Sequence, residues 1–190
     1  MTSGQNKIDP RTPILVGQAQ VAQHTDDLKS AAGPIELMSQ AVREAFADAG
    51  IQNLSITNAT KNARTIDALR VVRSLSTRNT NPARDIASTL EISANEYGLT
   101  PHGGNMPQLL VNKLAREIQN GELEIAVIAG GEASNSRARA LKENVSLDWS
   151  QSIADTPSAQ SIVDDAAMSS EQEIARKIVL PVQIYPMFES

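Results

Sequence analysis

His102-Gly103-Gly104-Asn105 stands directly before a helix-patterned segment, inside the stretch TPHGGNMPQLLVNKLAREIQNGELEIAVIAGGEA from Thr100 to Ala133. A helix start presents unpaired backbone N–H groups and a partial positive charge, so such a turn can hold an anion or acidify a thiol. Its glycines let a ligand approach the backbone closely. The same residues also fit an ordinary tight turn with an asparagine near the cap, and both readings stand at this point. Gly130-Gly131, after the apolar run EIAVIA, occupies the place of a phosphate loop. The G-x-G-x-x-G spacing and the Lys and Ser/Thr of phosphate loops are absent, because Glu132 follows directly. Close packing at a strand end is the expected role of these two glycines.

The other reactive residue types offer less. The chain has no cysteine and two histidines, His24 and His102. Disulfides, thiolate metal sites and cysteine nucleophiles are thereby excluded, and a histidine-rich metal site is not expected. Nothing in the sequence supplies His102 with a partner carboxylate. Ser74 and Ser76 lack the G-x-S-x-G elbow that would mark a nucleophile. Arg64, Arg70, Arg73, Arg78 and Arg84 give one region a basic tilt, expected as a solvated face or as a surface that meets cofactor phosphates.

The elements that must position these residues follow from the apolar pattern. PILVGQAQ (13–20) reads as a buried strand. Gly33-Pro34 opens a helix with Leu37, Met38, Ala41, Val42, Ala45, Phe46 and Ala49 at helical spacing, and Gly50 stops it. A strand lies within IDALRVVRSL (66–75). Asn81-Pro82 opens the short helix NPARDIASTLEI. A third helix spans 108–120 with Leu110, Leu114 and Ile118 in one stripe, and Gly121 stops it. EIAVIA (124–129) is apolar enough for a central parallel strand. Strands alternating with helices predict an α/β fold. From Asn135 to Ser170 the chain is polar and irregular apart from a brief helix signal at 137–143, and Trp149 sits within it. Residues 171–177 read as helical, and IVLPVQIYPMF (178–188) as an apolar segment.

Composition narrows the function classes. The 190 residues carry a net charge of −5, which argues against a nucleic-acid surface. Apolar residues make up 41% and aromatics 3%, so the core must be aliphatic. No run approaches the ~20 apolar residues of a membrane span. The segment MTSGQNKIDPRTP has no apolar h-region, so a cytoplasmic protein is expected.

Taken in order, PILVGQAQ, GPIELMSQAVREAFADAG, IDALRVVRS, NPARDIA and GGNMPQLLVNKLAREIQNGELEIAVIAGGEA resemble the N-terminal half of thiolases. More narrowly, they resemble the acetyl-CoA acetyltransferases related to sterol-carrier-protein thiolases. PVQIYPMFES is similar to a segment these proteins carry after the fourth strand. The resemblance implies a thiolase-like half: a mostly parallel sheet with helices on both faces over residues 1–133, and an irregular, partial excursion over 134–190. It implies acyl transfer on coenzyme A thioesters in lipid metabolism, with the thioester as substrate and no permanently bound cofactor or metal. In active thiolases a cysteine at the helix start takes the acyl group, and Gly-His-Pro, Cys-Gly and Asn-Glu motifs assist. The alignment places Gly103 at the nucleophile position, with His102, Gly104 and Asn105 as substrate-binding candidates. Tyr185 and Phe188 could line an acyl pocket by the same resemblance, or a terminal strand could pack them on the core. The expectations are a chain that does not turn over alone, and association in a homo-oligomer or with the other thiolase half. The alternatives are a non-catalytic partner of an acyl-CoA enzyme and a truncated gene product.

Overall fold

Pro34 in the first turn and Gly50 at φ 76° bracket helix α1 (Pro34–Asp48), in which Ile35, Met38, Val42 and Phe46 recur at the spacing that buries one face. Asn81 opens α2 (Pro82–Leu90), its side chain accepting a hydrogen bond from the Arg84 N–H. Helix α3 (Met106–Asn120) begins two residues before the sequence suggests and ends at Gly121, φ 78°. These are features of a computed structural model that describes residues 8–51, 66–147, 149, 157–162, 170–178 and 181–189.

Among the described residues four parallel strands form the sheet: β1 (Ile66–Val71), β2 (Ala94–Leu99), β3 (Ala126–Ala129) and β4 (Gln160–Ser161), in the order β3-β1-β2-β4. Parallel strands need crossovers, and α2 and α3 supply them for β1→β2 and β2→β3. Along β1 the side chains alternate. Leu69 and Val71 enter the main core with Ile35, Met38 and Phe46 of α1 and Ile86 and Leu90 of α2. Arg70 lies on the opposite face and reaches Glu117 of α3, whose Leu110 and Leu114 are buried there. Helices therefore cover both faces, in an α/β fold.

Several sequence expectations need correction. PILVGQAQ is not a strand. It joins no strand among the described residues, and Ile14, Leu15 and Val16 are 75%, 84% and 66% exposed. Its local bonds go to the end of α1 instead. The Gln18 N–H donates to Asp48 Oδ2, and Gly17 lies so close to Ala45 that an added Cβ would sit 2.2 Å from its carbonyl oxygen. Among the described residues EIAVIA forms the edge of the sheet rather than a central strand; the central strands are β1 and β2. β2 itself was hidden by Asn95, Glu96 and Gly98, which spoil the apolar pattern. IVLPVQIYPMF provides no strand and does not pack on the core among its described residues. It contains the single helical turn α6 (Pro181–Ile184) and a 3₁₀ turn, and Tyr185 and Phe188 are largely exposed.

After β3 the chain forms α4 (Ser134–Glu143), whose Arg139 donates to the carbonyls of Thr25 and Asp26. Trp149 donates from Nε1 to the Ala31 carbonyl and lies against Gly33 at the start of α1. The short α5 (Glu171–Ala175) is closed by a capping box between Ser170 and Glu173. No helix among the described residues is long and apolar enough to cross a membrane.

Candidate functional site

The C-terminal ends of β1, β2 and β3 meet at one edge of the sheet, where open parallel sheets generally hold their ligands. β1 runs out through Arg73, Ser74 and Ser76, and β3 through Gly130, Gly131 and Glu132. β2 leads through Thr100 into the turn before α3.

That turn is built as follows. The Met106 N–H donates to the Gly103 carbonyl and the Leu109 N–H to the Asn105 carbonyl. Asn105 occupies the cap position with φ −84° and ψ −13°, but its side chain makes no cap hydrogen bond. It folds back over Gly103: a Cβ built there would lie 2.7 Å from Asn105 Oδ1 and 3.2 Å from Met106 Cε. Both neighbours are the ends of flexible side chains, and φ at Gly103 is not positive, so a small side chain fits after a minor shift. Gly104 has open space around it. His102, Gly104 and Asn105 are exposed and Gly103 is half-buried. His102 makes no hydrogen bond among the described residues, and no carboxylate orients it.

Two polar clusters that the sequence did not signal fix the surroundings. Thr100 is fully buried. Its N–H donates to the Val71 carbonyl, its hydroxyl accepts from the Arg73 N–H at 3.0 Å and donates to the Pro101 carbonyl at 2.8 Å, and its carbonyl accepts from Arg73 Nε at 3.0 Å. The second cluster centres on Glu132, the residue that broke the dinucleotide pattern. Its carboxylate accepts from the N–H groups of Leu75 and Ser76 and from the hydroxyls of Ser74, Ser76 and Ser134. The Ser76 hydroxyl also accepts from the Ala133 N–H. Ser74 and Ser76 are thus committed to this clamp rather than free as nucleophiles. Gly130 and Gly131 act as the expected close-packing turn, since added Cβ atoms would press on Val72 and on Met38 at 2.8 Å.

Burial opposes ionisation of Glu132, but the bonds from Ser76, Leu75 and Ser74 outweigh it and hold the carboxyl below the usual range. A depressed folded-state pKa adds stability above the unfolded value of ~4.3, and that stability is lost as pH falls through the folded value. We therefore expect Glu132→Gln to lower stability by about 1 kcal/mol at pH 7, at the low end for bonds to a charged group because the residue is partly open to water. The gap from wild type should close on acidification. Urea midpoints for both proteins across neutral to acid pH measure this; a gap independent of pH would contradict the clamp.

The arginines divide. Arg70 is not part of a solvated face: it is buried, with its guanidinium bidentate on Glu96 and 2.6 Å from Glu117 Oε2, and Lys113 is 2.9 Å from Glu117 Oε1. Arg84 stacks over the Tyr97 ring at 4.4 Å, Arg73 is tied to Thr100, Arg78 is exposed, and Arg64 lies outside the described residues. Between the exits of β1 and β2 lies a small hollow of about 10 Å³, lined by Arg73, Ser74, Thr77 and Asn79 over Val71 and Leu99. A hollow of that size holds about one water molecule, so it does not accommodate an acyl-CoA by itself. Among the described residues no group of three or more His, Asp or Glu side chains could hold a metal ion.

No protein-family model and no curated protein matches the chain. Among solved structures it is similar to a monomeric SCP2-thiolase like protein type 1 from Mycobacterium smegmatis, with 27% identity and a TM-score of 0.54. The match covers 65% of this chain and 24% of that one, so the chain spans about a quarter of the length of that relative. The fold is thiolase-like.

Proposed function

From this thiolase-like scaffold, we propose that the chain is a partial-length relative of coenzyme A-dependent acyltransferases that keeps the nucleophile turn without its nucleophile. The observation that carries the reading is Gly103, in the turn between β2 and α3 at the C-terminal edge of the sheet. Neither His102, Gly104 nor Asn105 can replace a thiolate as acyl acceptor. His102, exposed and without a carboxylate partner, is not arranged as a general base. The ligand class is a coenzyme A thioester, contacted at the turn by His102, Gly104 and Asn105 through backbone N–H groups and side-chain donors. The biological setting is lipid metabolism.

Carbon–carbon thiolysis needs a covalent acceptor for the acyl group and a base to activate it, and the turn supplies neither. Incubation with acetoacetyl-CoA and CoA should give no turnover above a buffer control. Turnover above that control would overturn the proposal.

A second reading is favoured by a separate observation. The outer edge of β3 has no strand beside it among the described residues, and Ile14–Val16 and Val111 present apolar surface. An unprotected strand edge and an open apolar patch invite association. In this reading the chain is a non-catalytic assembly subunit that works with another copy or with a polypeptide carrying the rest of a thiolase body. Light scattering on the purified chain distinguishes the two: a dilution-insensitive monomer argues against an obligate partner.

A further inference from the structure

Thr100 stands three residues before Gly103, and the link between them contains Pro101, whose ring fixes φ. A displacement at Thr100 is therefore passed on to the turn with little slack. Thr100 directs nearly all of its polar groups sideways, to β1: its N–H to Val71 and its hydroxyl and carbonyl to Arg73. The hydroxyl accepts from the Arg73 backbone and donates to the Pro101 carbonyl, so its rotamer and proton direction are both set. The exit of β1 is in turn pinned to that of β3, because Glu132 gathers Leu75 and Ser76 N–H groups and three serine hydroxyls. The three strand ends form one hydrogen-bonded platform, and the turn at 102–105 leaves it through Thr100.

We infer that Thr100, held by Arg73, is the positioning residue for the turn that the thioester reading assigns as the ligand site; the inference rests on that reading for the ligand, but not for the geometry. A buried threonine with no such role would contribute to stability alone. A positioning threonine also sets where position 103 lies against the first N–H groups of α3, and the influence of a helix terminus falls off within a turn.

Because the chain has no cysteine, Gly103→Cys places a single reporter thiol on the turn. Its rate of alkylation by iodoacetamide as a function of pH gives its reactivity and its titration midpoint. In that background Thr100→Val, which keeps the shape and removes the hydroxyl, should slow alkylation at pH 7 about tenfold and raise the midpoint by about one unit toward a free thiol. Thr100→Ser should restore both. Arg73→Gln, which removes the Nε bond to the Thr100 carbonyl and keeps the backbone N–H on the hydroxyl, should shift both in the same direction by less, and it tests whether Arg73 holds Thr100 should Thr100→Val fail to fold. A rate within twofold and an unchanged midpoint in the folded variants would overturn the inference. Calorimetric titration of the wild-type chain with acetyl-CoA separates the two claims. No binding together with a Thr100-dependent midpoint leaves the positioning role standing and removes the thioester reading. Binding together with an unresponsive thiol does the reverse.

Discussion

Arg70→Ala should lower the stability of the chain by about 3–5 kcal/mol, the usual cost of removing one partner from a buried ion pair. For a domain of this size that corresponds to a fall in Tm of roughly 10 °C. The guanidinium is 4% exposed and joins three elements: β1 carries it, β2 supplies Glu96 and α3 supplies Glu117. Its planar fork serves both carboxylates at once, with Nε and Nη2 on Glu96 and Nη1 on Glu117. Burial lowers the guanidinium's affinity for its proton, but the two carboxylates more than offset this and raise it above the ordinary arginine value. Burial likewise opposes the charge on Glu117, while Lys113 and Arg70 outweigh it and depress its pKa. With alanine at position 70, Glu96 loses its ion-pair partner and Glu117 keeps only Lys113, both in partly buried positions.

Arg70→Lys should recover only part of the loss, because an ammonium cannot make the paired contact with Glu96. Arg70→Met combined with Glu96→Gln and Glu117→Gln should be far milder than Arg70→Ala, since it leaves no buried charge unpaired and the freed Lys113 is partly exposed to water. Thermal and urea unfolding measure the series. An Arg70→Ala protein within about 1 kcal/mol of wild type would show that the network does not hold the sheet to α3.

The same network explains what the sequence could and could not show. Helices α1, α2 and α3 were legible because each has its own punctuation: Gly33-Pro34 and Gly50, Asn81-Pro82, and Gly121. β1 was legible as an apolar run. β2 was not, because Glu96 and Gly98 have no strand signature until Arg70 is known to lie beside them, 26 residues away. A charged residue inside IDALRVV was the one available hint, since an arginine in a central strand needs a carboxylate. PILVGQAQ failed in the opposite sense. Its residues suit a strand, but the segment lies against the end of α1 through Gly17 and Gln18 instead of pairing. At the site, the turn before α3 could be read directly, while Gly103 as the nucleophile position stays a proposal. The Thr100 and Glu132 clusters could not, because they join residues 27 and 56–58 positions apart through single polar atoms that leave no periodic trace.

Gly103→Cys should fold, and its thiol should titrate well below the ordinary value of ~8.5. The substitution is sterically modest: the backbone at Gly103 has no positive φ, and the nearest atoms are movable ends of Asn105 and Met106. The thiol would lie beside the start of α3, where the helix favours the anion. An upward shift would follow if Asn105 Oδ1, 2.7 Å from the built Cβ, remained against the sulfur as an acceptor. Alkylation across the pH range decides between these two environments. A midpoint at or above ~8.5 would show that α3 does not activate this position.

In the proposed reading the turn keeps an acyl-accepting geometry, while the thiol acceptor and its activating base are both absent. The most direct measurement is the intact mass of wild-type and Gly103→Cys chains after incubation with acetyl-CoA. In the variant, attack of the introduced thiolate on the thioester carbonyl would form a new protein thioester and release CoA as the thiolate leaving group. The account predicts one acetyl group on the Gly103→Cys chain, with one CoA released, and none on wild type. A variant that alkylates readily yet takes no acetyl group from acetyl-CoA, or a wild-type chain that becomes acetylated, would contradict it.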